Sequence, residues 1–181
     1  MTTTISVTQD ATLAALRSWL LSVLPTGTEV VAGQCNRVPE PRITDFVVMV
    51  PLLRERIETN ITKYEDPYPS TPSTRSVLQP TKLTVQLDVH GPNGGDNVQI
   101  VTTLFRDLNA CEAFAASGID VSPLYTSEPR QLPFINAEQQ YEDRHTVDVV
   151  MQVNPIVTQS QDFADALHVG IINVDVVYPP S

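Results

Sequence analysis

The sequence predicts an α+β fold, a mostly antiparallel sheet with two main helices packed on one of its faces. Three observations carry that expectation. Leu83, Val85, Leu87 and Val89 alternate with Thr84, Gln86, Asp88 and His90, so one face of an extended segment is apolar and the other polar. Val147, Val149, Met151 and Val153 repeat the pattern. Between and before these strands, apolar residues recur at helical rather than alternating spacing, which puts helices over one side of a sheet.

In chain order, Leu13, Leu16, Leu20 and Val23 or Leu24 mark an amphipathic helix over Ala11 to Leu24, with Thr8 or Asp10 to cap it and Pro25 and Gly27 to stop it. The two prolines of Val38 to Arg42 favour extended backbone and lead into Phe46-Val-Val-Met-Val50, a buried strand that Pro51 ends or marks as an edge. Arg56 to Lys63, with Ile57 and Ile61 on one face, predicts a weaker strand. Tyr64 to Pro80 holds four prolines, many hydroxyls and almost no apolar periodicity, so a Pro-rich loop or arm at about 64–80 is expected to leave the sheet. Such an arm either orders against a neighbouring subunit or stays a surface loop.

After the strand ending at His90, Gly91-Pro-Asn-Gly-Gly makes a turn. Asp96 then caps a helix, Gln99 completes a capping box, and Val101, Leu104, Phe105, Leu108 and Cys111 form its buried stripe up to Gly118. Ser122 to Arg130 reads as a short strand or extended segment, and a last strand is expected over Val169 to Val177. No repeat divides the chain, and 181 residues with 41% hydrophobic content suit a single domain over 1–181.

With 21 acidic and 11 basic residues, the net charge of -10 disfavours a protein that grips duplex DNA by its phosphates. It suits a wall past which DNA slides without sticking. Cys35 and Cys111 have no metal-like or disulfide-rich spacing and are expected as free thiols, consistent with synthesis in a reducing cytoplasm. The N-terminus carries no signal-peptide pattern, and Arg17 and Ser18 interrupt the longest apolar stretch, so no membrane is expected as a partner.

Chemistry-bearing clusters have plainer explanations. Gly91 to Asp96 lies where a phosphate loop would, but lacks the Lys and Ser or Thr of that motif, and Asp96 puts negative charge where phosphate would sit. A turn accounts for every residue. Glu138, Tyr141, Glu142, Asp143, Arg144 and His145 gather acid, base and phenol in one segment, yet active sites draw groups from distant segments into one pocket. A solvated face or intersubunit contact is expected there. His90, His145 and His168 are scattered, with surface or pairing roles, and no metal, cofactor or catalytic residue is expected. Trp19 is expected in the core beside the helix-one leucines.

Several blocks in fixed order carry a resemblance: Asn36-Arg-Val-Pro-Glu-Pro, Gln86-Leu-Asp-Val-His-Gly-Pro-Asn-Gly-Gly-Asp, Leu104-Phe-Arg-Asp, Pro129-Arg-Gln-Leu-Pro-Phe, Glu138-Gln-Gln-Tyr-Glu-Asp-Arg and Ile172-Asn-Val-Asp-Val-Val-Tyr-Pro. From Asn36 to Tyr178 the chain resembles the neck and tail terminator proteins of tailed bacteriophages. The resemblance implies a tail-terminator-like sandwich and a structural virion protein without enzymatic activity. Such a protein forms a ring, usually a homohexamer, that ends tail-tube growth and joins the tail to the head connector. It implies a place at the head-proximal end of the tail, with the tail tube protein, a head-tail connector or neck protein and, in some tails, the sheath protein as partners. DNA would pass through the lumen without specific binding. Arg130, Glu138, Gln139, Tyr141, Glu142, Asp143 and Arg144 are the candidate assembly contacts by this resemblance. Two alternatives stand beside it: another head-tail connector or tail-completion protein, and a small cytoplasmic hydrolase or binding domain using the Glu138 to His145 cluster.

Overall fold

A computed structural model describes residues 3–34, 41, 43–67, 72–135, 141–164 and 169–170. The elements are β1 (Thr3–Ile5), α1 (Gln9–Val23), β2 (Glu29–Ala32), β3 (Phe46–Arg56), β4 (Ile61–Glu65), β5 (Thr74–Leu78), β6 (Thr81–His90), α2 (Gly94–Phe105), α3 (Leu108–Ala116), β7 (Val121–Thr126), β8 (Arg130–Ile135), β9 (Tyr141–Val153) and β10 (Ile156–Ser160). The expected α+β fold with a dominant antiparallel sheet is what the chain forms. The Asn36 block, Cys35, Glu138, Gln139, His168 and all but the first two residues of the strand expected over 169–177 lie outside the described residues.

Six strands make the main sheet, in the order β2-β3-β6-β9-β7, with β8 also paired to β9. Among the described pairs of this sheet, β2 and β3 run parallel and the others antiparallel. The alternation that predicted β6 and β9 has its physical cause here. Leu83, Val85, Leu87, Val89, Val147, Val149, Met151 and Val153 all face the helices and are almost wholly buried. Leu16, Trp19, Leu20, Val98, Val101, Phe105 and Phe114 cover them from the helical side.

Helix α1 starts where Thr8 caps it, its Oγ1 accepting from the Ala11 N–H at 3.1 Å, and it ends before Pro25. The second expected helix is two. Asp107 takes an extended conformation (φ -101°, ψ 169°) at the N-cap of α3, breaking the helix after Phe105 and turning its continuation. Leu108 and Cys111, expected on the buried stripe, are therefore exposed, and α3 buries Ala110 and Phe114 instead. The predicted Asp96 cap is also displaced. Asn93 is the N-cap, Asp96 stands within the first turn where its charge favours the helix dipole, and the Gln99 amide donates to Thr103 at 3.1 Å. Gly118, at φ +74°, follows the end of α3 as expected.

Pro51 does not end its strand. β3 runs on to Arg56, with a register shift between Pro51 and Leu53. β2 pairs β3 only as far as Met49, so Pro51 sits where the strand has become an edge and its missing N–H costs no ladder bond. The strand expected over Arg56 to Lys63 is divided: β3 ends at Arg56, the Ile57 N–H donates to the Pro80 carbonyl, and β4 begins at Ile61. The 64–80 stretch is not wholly irregular either, since it contains the end of β4 and all of β5, a hairpin projecting from the main sheet.

That hairpin belongs to a second sheet, ordered β1-β10-β5-β4. It is a continuation of the first. β3 leads into β4, β5 into β6 and β9 into β10, and the three neighbours keep their order across the breaks at 57–60, Gln79-Pro80 and Asn154-Pro155. No residue of the four strands is buried.

Candidate functional site

The candidate contacts fall on the β8–β9 hairpin. Arg130 lies opposite Thr146, Leu132 opposite Arg144, Pro133 opposite Asp143 and Ile135 opposite Tyr141. Because side chains alternate along β9, Glu142 and Arg144 share the helix-free face with Asp88, while Tyr141, Asp143 and His145 lie on the helix side. Among the described residues, the Glu138 to His145 cluster is thus divided between two faces, with Tyr141, Glu142 and Asp143 meeting at the rim of one cleft and Arg144 and His145 outside it. Among the described residues no three His, Cys, Asp or Glu side chains are placed to hold a metal ion.

Arg130 is exposed, and Tyr141 stands out with 84% of its surface in solvent. A cleft at this end is lined by Gln131, Leu132, Pro133, Tyr141, Glu142 and Asp143, and the Gln131 amide bonds Asp143 at 3.2 Å. Apolar and acidic groups therefore share one groove.

Arg144 is differently engaged. Its Nη2 donates to Asp88 Oδ2 at 2.8 Å. Oδ1 of Asp88 accepts from the Gln86 amide at 2.9 Å and the Thr146 hydroxyl at 2.5 Å. Asp88 is buried on a strand face that no helix covers, and its carboxylate depends on these donors. Arg144 thereby ties the start of β9 to β6 and holds the hairpin's base. Arg144→Ala is expected to cost about 2 kcal/mol, less than a fully buried pair because the guanidinium is partly solvated. Chemical denaturation checks this, and the Asp88→Asn background should shrink the effect.

His90 lies opposite Arg144, and of the surface or pairing roles expected for it the surface role does not hold. It is buried, its ring stacked on Phe46 with centroids 4.5 Å apart and planes 7° from parallel. The polar phase of β6 is covered here because an aromatic from β3 reaches across. Burial, and then the Arg144 guanidinium, hold its pKa below the ordinary 6.5, with Glu142 and Asp88 acting in the opposite sense. The unfolded chain takes up the proton first as pH falls. The stability from neutral His90 is therefore complete above pH 6.5 and declines as pH drops from there through its folded value. His90→Gln should flatten that part of a denaturation-midpoint profile.

The turn after His90 is tied to its surroundings by hydrogen bonds to Asp45 and to the hairpin. The Asn93 backbone N–H and side-chain amide both donate to the Asp45 carboxylate, at 3.1 and 2.9 Å, so a protein anion already occupies the donors. The Gly91 N–H donates to the Asp143 carbonyl at 3.0 Å, joining turn to hairpin. Gly94 and Gly95 let the helix approach His145 closely, a Cβ on Gly94 standing 3.1 Å from its Nδ1.

Asp88 and Asp45 were not among the residues singled out from sequence, because their partners lie 56 and 48 positions away. The small sheet was missed too. Ile5, Ile61, Tyr64 and Ile156 on or beside its strands are exposed. The five-residue runs Ile61–Glu65 and Ile156–Ser160 after Asn60 and Pro155 were the available signal.

No described helix is long and apolar enough to cross a membrane. A search of curated proteins finds no match. The family model described as phage neck terminator protein matches residues 10–177, which takes in both sheets' central strands, the described helices from Asp10 onward and the β8–β9 hairpin, and the chain belongs to that family.

Proposed function

We propose that this protein forms a ring, a homohexamer, on the last ring of a finished tail tube, ends tube growth there and offers its other side to the head connector. Family membership over residues 10–177 carries the reading. The chain acts as one structural unit over 1–181 without catalysis. Its partners are other copies of itself, the tail tube protein, a connector or neck protein and, in a contractile tail, the sheath protein. The net charge of -10 supports a lumen that repels DNA and lets it pass. Arg130, Glu138, Gln139, Tyr141, Glu142 and Asp143 are contacts between rings or subunits, and Arg144 supports them through Asp88.

Electron microscopy of assembled particles labelled with a gold-conjugated antibody to this protein tests the place. Label at the head-proximal end of the tail is the expected result. Particles reproducibly free of label would overturn the reading and favour the cytoplasmic hydrolase or binding domain.

A further inference from the structure

Strand β9 carries two unlike surfaces at its two ends. Its first residue, Tyr141, lies in the β8–β9 hairpin, and its last, Val153, leads through Asn154-Pro155 into the small sheet. Thirteen residues of strand span roughly 40 Å, so these surfaces cannot meet within one chain.

The small sheet has no interior of its own. Ile61, Leu78 and Ile156 form an apolar row across one face, while Ile5, Val157 and Val77 form one across the other, and none is buried. A four-stranded sheet whose own residues are none of them buried gains little from apolar burial, and the strands it shares with the main sheet support its shape.

Charge distinguishes the two ends. Between Leu52 and Lys82 stand five basic side chains (Arg54, Arg56, Lys63, Arg75 and Lys82) and four acidic ones, in a chain whose net charge is -10. Both lysines of the protein are among them, and β1 and β10 are uncharged. At the other end, Glu128, Glu142 and Asp143 stand against Arg130 and Arg144, of which Arg144 is already paired with Asp88, and exposed Leu132, Ile135 and Tyr141 lie between them. A contact between two acidic ends would repel, whereas the small sheet, whose strands carry Lys63 and Arg75 against Glu65, attracts the acidic hairpin. Lys63 is available for exchange. Its pair with Glu65, 2.6 Å apart, is exposed on both sides and so weakly held. Arg75, beside Tyr64 across the β4–β5 pair, has an Nε that is buried without a hydrogen-bond partner.

We propose that the small sheet of one copy docks on the β8–β9 hairpin of the next, with Lys63 and Arg75 facing Glu142 and Asp143 across the β4 edge, and with Ile61 and Tyr64 packing near Leu132 and Tyr141. Two different patches meeting head to tail make a heterologous contact, which closes into a ring when the rotation permits. The inference rests on the ring proposed above and names its interface.

The test uses the full chain with paired charge reversals. Lys63→Glu with Arg75→Glu, and separately Glu142→Lys with Asp143→Lys, should each stay monomeric in sedimentation where the wild type associates. An equal mixture should recover association, since every contact in an alternating ring is again between opposite charges. Trp19 fluorescence and circular dichroism check that both fold. A second measurement needs no variant. Carbodiimide coupling of mixed heavy- and light-isotope wild type should join Lys63 of one copy to Glu142 or Asp143 of another. Assembly that ignores both reversals, a mixture that does not recover, or heavy-to-light links from Lys63 to Glu65 would overturn this contact and leave the ring standing. A wild type that stays monomeric both alone and on isolated tail tubes would overturn both.

Discussion

Trp19→Ala is expected to lower the free energy of unfolding by about 4 kcal/mol, the largest effect of any single substitution considered. Trp19 projects from α1 into the junction of all three helices. Its ring meets Phe105 of α2 edge-on at a centroid distance of 5.2 Å and Phe114 of α3 at 6.4 Å, and those two rings meet each other at 6.2 Å. Its Nε1 donates to Asn109 Oδ1 at 3.0 Å, so the polar end is satisfied as well. Truncation opens a cavity under three helices at once, and no one of them can move in to fill it without leaving the sheet. Trp19→Phe keeps much of the ring volume and should cost roughly 1.5 kcal/mol, mostly the lost hydrogen bond and a smaller void. Urea denaturation followed by circular dichroism checks both, because these variants lack the protein's only tryptophan as a fluorescent reporter.

Gly91→Ala should destabilise by roughly 3 kcal/mol and loosen the hairpin as it does so. Gly91 has φ +106°, a conformation that L side chains rarely adopt. A Cβ there would stand 2.4 Å from both the Thr44 carbonyl oxygen and Asp45 Oδ1. The first of these is backbone and cannot rotate aside. Moving it displaces Asp45, which holds Asn93 at the start of α2, and Gly91 itself, which donates to Asp143 in the hairpin. The expected signature is a fall in denaturation midpoint together with faster hydrogen exchange at the Gly91 and Asn93 amides. Gly118→Ala, also at positive φ but with open space around the new carbon, should cost only about 1 kcal/mol. Equal losses at the two sites would mean that steric contact with Thr44 and Asp45 contributes nothing.

The main sheet and the helices above it were legible because burial imposes a period. Alternation at Leu83 to Val89 and Val147 to Val153 exists because those side chains share one helix-covered face, and the α1 stripe exists because Leu16 and Leu20 lie over it. Where no face is buried, no period is required. β1, β4, β5 and β10 contain no buried residue, so 3–5 residue strands passed as loop or weak alternation. The break between α2 and α3 was hidden by the opposite fault: Leu108 and Cys111 continued the apolar spacing of a helix that Asp107 interrupts.

The candidate contact segment was visible by its charge density, and its division was not. Whether Arg144 faces a partner or Asp88 depends on the pairing of His90 with Arg144, a register between strands more than fifty residues apart. One residue of slip would put Arg144 on the helix side and His145 beside Asp88.

Composition and local periodicity were sufficient to predict an acidic α+β chain with a helix-covered sheet, since charge is a sum over residues and burial marks each strand locally. Tertiary structure alone decided that β3, β6 and β9 continue past short breaks, two of them holding Pro80 and Pro155, into a second sheet whose strands bury none of their residues, and that Asp88 takes Arg144 out of the exposed set. Both are relations between distant segments, set by strand order and register, and neither leaves a periodic mark on the residues that make them.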